Sequence, residues 1–329
     1  MSNMTIDKRL LMGTALAAAI VAAAPAHAQS YPTRPITVII PFAGGSASDV
    51  VSRIMFDRMS KSMGQPIVVE NKPGAGGNSG TQLAAKAAPD GYTLVGAGSG
   101  PIAANLALYK NLGYDPLKEL NIISPFASFT IVVTASNKLG IKTLQELIER
   151  AKKEPGALNY GSVGIGSSQH LAGEYFAQVT GVQLTHVPYR NIAQFGPDLI
   201  SGQVQLGFQW YPNVAGPIQA NGATALAVAG DVRLGALPNT PTTTQAGLPQ
   251  YKVDGWFALA APAGVPAPIM QRLNKELNDA LNDPAVKAGF EKAGALPIGL
   301  GLEQAKKFHA DEIVKYRDII GKAGIAKIE

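Results

Sequence analysis

Short apolar runs alternate with amphipathic segments along the chain from residue 31 onward. The apolar run at 36–40 predicts a buried strand, and residues 49–63 predict a helix with its apolar positions on one face. The same alternation predicts further strands at 66–70, 92–95, 130–133, 159–162, 182–187, 206–208, 225–228 and 256–260, and helices at 80–88, 143–154, 168–180, 193–202, 266–282 and 302–321. Strands alternating with helices are typical of βαβ units. The pattern therefore predicts an α/β fold.

The first residues depart from this pattern. Lys8 and Arg9 precede an apolar run at 10–24, and small residues flank His27. A basic start, a short apolar stretch and a small-x-small site are typical of a cleavable signal peptide, here residues 1–28. The alternative is an N-terminal membrane anchor. No later apolar run reaches about 18 residues, so we expect an exported, periplasmic protein that is not embedded in the membrane.

The composition excludes several classes of protein. The chain has no cysteine, and therefore no disulfide framework, thiolate nucleophile or cysteine-based metal site. Hydrophobic residues make up 46% of its 329 residues, which argues against disorder. The net charge of +5 is spread without a basic block, so nucleic-acid binding is not expected. About 300 residues after the leader favour two lobes over a single core.

Glycine-rich loops follow four of the predicted strands, at 41–46, 74–78, 96–100 and 161–168. Unpaired backbone N–H groups and the positive end of a helix dipole attract an anion. Because parallel strands end at a common crevice, four such loops predict a ligand site rather than ordinary turns. None of the loops has the G-x-G-x-x-G or Walker A pattern, so a nucleotide enzyme is not predicted.

Catalytic chemistry has little support in the sequence. There is no G-x-S-x-G elbow and no H-E-x-x-H helix, and no catalytic residue, cofactor or metal is predicted. The one arrangement that could support catalysis is His170 as a base beside Ser162, Ser167 or Ser168, which would suit an exported esterase or similar hydrolase. The alternative is that His170 caps, or hydrogen-bonds within, the first turn of the helix that begins near Ser168.

An ordered series of motifs carries a family resemblance. The matching segments are YPTRPI at 31–36, PFAGG at 41–45, VENKPGAGG at 69–77, PDGYTL at 89–94, LNYGS at 158–162, GSSQHL at 166–171, VPYR at 187–190, GQV at 202–204 and APAGVP at 261–266. In these segments the chain resembles the periplasmic solute-binding proteins of tripartite tricarboxylate transporters, the Bug family. The resemblance covers essentially everything after the leader.

The resemblance implies a two-lobed Venus-flytrap fold, each lobe a mostly parallel sheet flanked by helices. The first lobe is expected at 29–128 plus 257–329 and the second at 129–256, with hinge strands near Ser128 and Trp256. The family captures a small carboxylate between the lobes and delivers it to a membrane permease. A monomer is expected. A sensory role, in which the loaded protein is presented to a receptor, would use the same fold.

The resemblance also assigns the solute to the glycine loops. In the first lobe, the expected ligand-binding residues are Phe42, Ala43, Gly44, Gly45 and Ser46, with Asn78 and Ser99 for further polar contacts. In the second lobe, they are Ser162, Gly164, Gly166, Ser167, Ser168 and His170.

Two departures from the family's pattern bear on the solute. Gln209 stands where the family commonly has Asp, which favours a solute with a second carboxylate over an amino acid. Arg190 replaces the usual Lys and either offers a fork of donors to a carboxylate or points to solvent. Trp210 and Tyr211 end a predicted strand and face either the core or the crevice. Together with Phe42 they make an aromatic dicarboxylate such as terephthalate a candidate.

Overall fold

Two β-sheets flanked by helices carry the fold. The computed structural model describes residues 31–322 and 325–328, and the chain from Arg34 onward forms one compact unit. The strands are β1 (Ile36–Ile40), β2 (Ile67–Asn71), β3 (Thr93–Gly98), β4 (Leu120–Thr130), β5 (Val132–Ser136), β6 (Asn159–Ser162), β7 (Thr185–Pro188), β8 (Leu206–Gln209), β9 (Ala223–Val228), β10 (Asp254–Pro262) and β11 (Ala295–Pro297). The predicted signal peptide, 1–28, lies outside the described residues.

The α-helices lie between these strands and after the last of them. They are α1 (Ala47–Met63), α2 (Asn78–Ala85), α3 (Asn105–Leu108), α4 (Pro116–Glu119), α5 (Leu144–Lys153), α6 (Ser168–Thr180), α7 (Phe195–Ser201), α8 (Tyr211–Gln219), α9 (Ala267–Asn282), α10 (Pro284–Lys292) and α11 (Leu302–Lys322). Within the described part of the chain, no helix is long and apolar enough to cross a membrane.

The first sheet has six strands in the order β11-β4-β10-β3-β1-β2, and the second has five in the order β7-β6-β8-β5-β9. We call the elements built on these sheets the first and second lobe. In the first sheet β1 pairs in parallel with β2 and β3, whereas β10 runs antiparallel to β3 and β4. In the second, β6 pairs in parallel with β7 and β8, whereas β5 runs antiparallel to β8 and β9.

The predicted α/β fold with two lobes is confirmed, but each sheet is mixed instead of mostly parallel. In the second sheet β5 is the antiparallel strand. In the first sheet the reason lies in β4 and β10, which form one antiparallel ladder from Thr130–Asp254 to Leu120–Pro262. The chain leaves the first sheet at Thr130 and enters the second at Val132. Two strands that carry the chain out of a sheet and back again must run in opposite directions, so this pair is antiparallel.

Six elements escaped the sequence pattern, and proline accounts for two of them, β4 and α8. Pro125 interrupts the apolar run of β4, where the pairing with β10 shifts register between Phe257 and Ala258. Proline is tolerated at such irregularities because it has no N–H to contribute to the ladder. Pro212 and Pro217 likewise argue against a helix in the sequence, and α8 was therefore not predicted. In the structure Pro212 occupies the first turn of α8, where a missing N–H costs no hydrogen bond. The other missed elements are α3, α4, α10 and β11.

An aromatic cluster connects the two lobes beneath the loops. The Trp210 ring of the second lobe stacks on Phe129 at 5.0 Å and meets Phe257 edge-on at 4.8 Å. Phe257 in turn contacts Phe42, whose ring centroid lies 6.2 Å away. All four side chains are buried. The loop after β1 is therefore anchored by packing that extends from the first sheet into the second.

Candidate functional site

A cavity of about 540 Å³ lies where loops of the two lobes face each other. The first lobe contributes the loops after β1 and β2, and the second contributes those after β6 and β7. Its lining residues are Pro41, Phe42, Ala43, Ser46, Pro73, Gly74, Ala75, Gly76, Ser79, Tyr109, Val163, Gly164, Ile165, Pro188, Tyr189, Arg190 and Ile192. This volume is in the range that holds small-molecule ligands.

Arg190 is the one charged residue among these described lining residues. Its side chain is exposed, and it has no ion-pair partner in the described part of the chain. The rest of the lining is apolar, glycine backbone, or neutral hydroxyl groups. Because guanidinium stays protonated at any physiological pH, the cavity presents a fixed positive charge.

The loop after β1 is shaped by the start of α1. Ser46 caps the helix, with its Oγ accepting from the Asp49 backbone N–H at 3.4 Å. Asp49 accepts from the Gly45 N–H at 2.9 Å and from Arg53 Nε at 2.9 Å. Burial alone would raise the pKa of Asp49, but these bonds and one from Asn71 outweigh it, so the pKa is lowered. The carboxylate is therefore charged and holds the loop in place.

Two of the amides that the resemblance assigned to the solute, those of Gly45 and Ser46, have partners within the protein, and so does the neighbouring amide of Ala47. The Gly45 N–H binds Asp49, the Ser46 N–H binds the Ala43 carbonyl at 3.2 Å, and the Ala47 N–H binds Asn213 Oδ1 at 3.1 Å. Gly44 and Gly45 line a separate groove of about 300 Å³ instead of the main cavity. Of the five predicted loop residues, Phe42, Ala43 and Ser46 line the main cavity.

The loop after β6 is held by its own hydroxyl groups. Ser162 Oγ accepts from the Gly164 N–H at 3.0 Å, and Ser167 caps α6 by accepting from the His170 N–H at 3.3 Å. Gly164 lines the main cavity. Ser162, Ser167 and Ser168 are buried and lie behind the lining.

Two histidines whose rings contact each other at a tilt support this loop. The rings of His170 and His186 lie 4.3 Å apart, and Ser162 Oγ is 2.7 Å from His186 Nε2. His170 Nδ1 accepts from the Gly166 N–H at 3.2 Å. Burial lowers the pKa of both rings, that of His186 to about 3, so both are neutral at pH 7.

The interpretation of His170 as a hydrogen-bonding residue of the first helical turn is confirmed. The three loop serines have other partners: Ser162 Oγ pairs with His186, Ser167 Oγ accepts from the His170 backbone N–H, and Ser168 Oγ lies against Ser99 Oγ. Sequence spacing did not single out His186 because it reaches Ser162 only through the pairing of β6 with β7. No group of three or more His, Cys, Asp or Glu side chains within 31–322 and 325–328 is placed to hold a metal ion.

Gln209 and Trp210 lie away from the main cavity. Gln209 is fully buried, donates to the Gly161 carbonyl at 2.8 Å and accepts from Asn213 Nδ2 at 2.9 Å. Asn213 then reaches the first turn of α1 through Ala47. Trp210 and Gln169 line a small internal cavity of about 10 Å³, room for about one water. The Gln209–Asn213 pair therefore links the second sheet to the loop after β1.

Asn78 and Ser99 are also buried behind the lining. Asn78 Oδ1 accepts from Asn105 Nδ2 at 2.6 Å, and Ser99 Oγ lies 2.8 Å from Ser168 Oγ across the lobes. Tyr109 is a lining residue that the sequence did not indicate. It follows the short helix α3, which has no periodicity to predict it, and its hydroxyl donates to the Ile165 carbonyl at 3.0 Å.

Two α/β lobes whose glycine loops enclose one cavity define a two-lobed solute-binding protein. Residues 51–325 match the tripartite tricarboxylate transporter family receptor. The chain belongs to this family, the periplasmic solute-binding proteins of the Bug type.

Individual relatives agree with this assignment over nearly their whole length. Protein BugT of Bordetella pertussis is 35% identical over 303 residues, covering 92% of this chain and 93% of that protein. The structure of the periplasmic binding protein BugD has a TM-score of 0.85 at 31% identity, over 91% of this chain and 100% of that one.

Two further solved relatives contain a solute. A protein from R. palustris with adipate has a TM-score of 0.87 at 31% identity and covers 91% of this chain and 100% of that one. MatC from Rhodopseudomonas palustris with bound malate has a TM-score of 0.82 at 30% identity, over 88% and 100%.

Proposed function

We propose that the main cavity captures a small dicarboxylate between the two lobes and that the loaded protein delivers it to a tripartite tricarboxylate permease. The observation that carries the proposal is the unpaired Arg190, the one charge among the lining residues. Adipate and malate, which the two relatives hold, are both dicarboxylates. The protein is a receptor in this proposal, without turnover.

The two ends of the cavity suggest how a diacid would be held. One carboxylate would meet the loops after β1 and β6, where Ser46 and the backbone of Ala43 and Gly164 line the wall. The second carboxylate would pair with the Arg190 guanidinium, whose planar fork suits bidentate binding. Phe42 and Tyr189 add aromatic surface to the same lining, which keeps a terephthalate-like solute among the candidates.

The proposal includes export and lobe movement. Residues 1–28 would be removed on passage to the periplasm. The lobes would comprise 29–128 with 257–329 and 129–256, turning about the β4–β10 pair near residues 128 and 256. The crossing from β4 into β5 and the return into β10 support this division. A solute that touches both lobes favours the closed form.

Isothermal titration with succinate, adipate, malate, terephthalate, acetate and benzoate tests the proposal. We expect at least one diacid to bind and the matched monoacid to bind much more weakly. Arg190→Met should weaken diacid binding about 10- to 100-fold, because a hydrogen bond to a charged group contributes about 1.5–3 kcal/mol. Arg150→Met removes the same charge from the exposed face of α5 and should leave the affinity unchanged.

Either of two results would contradict the proposal. One is the absence of binding by every diacid in this panel. The other is equal loss of affinity in the Arg190 and Arg150 variants, which would reduce the role of Arg190 to net charge.

A further inference from the structure

The two lobes meet backbone to backbone at two pairs of glycines. Gly100 follows β3 in the first lobe and faces Gly166 of the second, while Gly76 faces Gly164. A Cβ placed on Gly100 would overlap the Gly166 carbonyl oxygen, and one on Gly76 would overlap the carbonyl of Ile165. Both separations are well inside 3.0 Å, which real Cβ atoms essentially never reach. The lobes can come this close only without side chains at these positions.

Gly100 differs from the other three glycines in its backbone. Gly76, Gly164 and Gly166 have φ of 62°, 121° and 81°, so any side chain there would strain the backbone even without a neighbour. Gly100 begins the π-turn Gly100–Ala104 and has no positive φ. Its glycine is therefore required by the facing lobe and not by its own conformation.

Few polar contacts accompany these glycines across the seam between the lobes. Ser99 Oγ lies 2.8 Å from Ser168 Oγ, the Tyr109 hydroxyl donates to the Ile165 carbonyl, and Asn213 accepts from the Ala47 N–H. Individual hydrogen bonds of this kind contribute little net free energy. Steric fit along the seam therefore has a large share in deciding how often the lobes meet.

We propose that Gly100 is a positioning residue that sets solute affinity by letting the lobes close, although it does not line the cavity. The inference rests on the proposed function, since it assigns affinity to the form in which loops of both lobes surround the solute. A methyl group at position 100 would leave the loops of each lobe intact and keep them apart. The solute would then bind to one lobe at a time and escape quickly.

Closure can be measured without any solute, because the chain has no cysteine of its own. Ser99→Cys with Ser168→Cys places two thiols where the hydroxyl oxygens lie 2.8 Å apart, so that the two sulfur atoms meet when the lobes are closed. Glutathione disulfide oxidises the pair, and the rate of crosslinking reports how often the lobes meet. We expect Gly100→Ala to slow crosslinking at least 10-fold.

Gly321→Ala is the matched control. Gly321 also lies in a helix of the first lobe, has no positive φ, and a Cβ there would meet nothing within 4 Å. Because an added methyl group at position 321 meets no neighbour, the control should crosslink at the wild-type rate. Thermal unfolding of both variants checks that each remains folded, as expected when the clash arises only on closure.

The second readout is binding of adipate, malate and terephthalate to the proteins without engineered cysteines. Gly100→Ala should raise Kd at least 10-fold for whichever of these binds, mainly through faster dissociation. Equal crosslinking rates in Gly100→Ala and Gly321→Ala, or unchanged Kd despite slower crosslinking, would overturn the inference and leave the proposed function standing. If no diacid binds the wild type, the proposed function fails, while the crosslinking rate still decides whether Gly100 governs closure.

Discussion

The buried side chain of Gln209 fits its surroundings because its Nε2 is a hydrogen-bond donor. Its Nε2 donates to the Gly161 carbonyl at 2.8 Å, and its Oε1 accepts from Asn213. Gln209→Glu replaces the donor by an oxygen. An ionised glutamate would set a carboxylate against that carbonyl, whereas a protonated glutamate keeps both hydrogen bonds. The folded protein therefore raises the pKa of this glutamate above its ordinary value of about 4.3.

The cost follows from the free energy of holding the proton. Each unit of pKa is worth about 1.4 kcal/mol, so a glutamate kept neutral at pH 7 costs about 3.7 kcal/mol. At pH 5 the cost falls to about 1 kcal/mol. The sign follows from the direction of the shift: a group whose pKa is raised on folding loses its stabilising effect as the pH rises. Gln209→Glu should thus be nearly as stable as the wild type in mild acid and much less stable at neutral pH.

Urea denaturation of Gln209→Glu, Gln209→Met and the wild type at pH 5, 6 and 7 measures this cost. Comparison at the same pH removes the titration of the protein's own histidines. Gln209→Met breaks both hydrogen bonds at every pH, so its deficit of about 1–3 kcal/mol should not vary. A Gln209→Glu deficit that stays constant over this range would refute the reasoning.

Two other changes test the packing around the loops. Burial lowers the pKa of His186, so the unfolded chain takes up a proton at this histidine before the folded protein does, and stability falls as the pH drops below about 6.5. Without this imidazole, His186→Gln should lose about 2 kcal/mol less stability than the wild type between pH 7 and pH 5, as measured by urea titrations. Asp49→Ala leaves the Gly45 N–H without its acceptor and should lower the free energy of unfolding by about 1–3 kcal/mol. The control Arg34→Ala removes an exposed ion pair and should lower it by less than about 1 kcal/mol. Equal losses in the two variants would contradict the role of Asp49.

The sequence pattern alone predicted the elements whose apolar residues form a short run or lie on one face of a helix. The strand at 36–40 and the helix ending at Met63 were predicted almost to their ends, because the first is a short apolar run and the second has its apolar positions on one helical face. β4 was missed where Pro125 interrupts its apolar run, and with it the antiparallel ladder that makes the first sheet mixed. Strand direction depends on where the chain returns, which no local window contains.

The candidate site was likewise predicted only in part. Glycine loops at strand ends drew attention to Phe42, Ala43 and Gly164, which line the main cavity. Which amides remain free depends on tertiary partners, and Asp49 and Asn213 take those of Gly45 and Ala47. The spacing of residues along the chain carries no information about such partners. Tyr109 and His186 were missed for the same reason.

The lining of the main cavity bears on how the affinity for a solute should depend on pH. The described residues of this wall include no carboxylate, imidazole or lysine, and its phenols, Tyr109 and Tyr189, have a pKa raised by burial. A pH dependence of affinity between about pH 6 and pH 9 would therefore point to the small molecule, or to groups behind the wall, and not to these lining side chains.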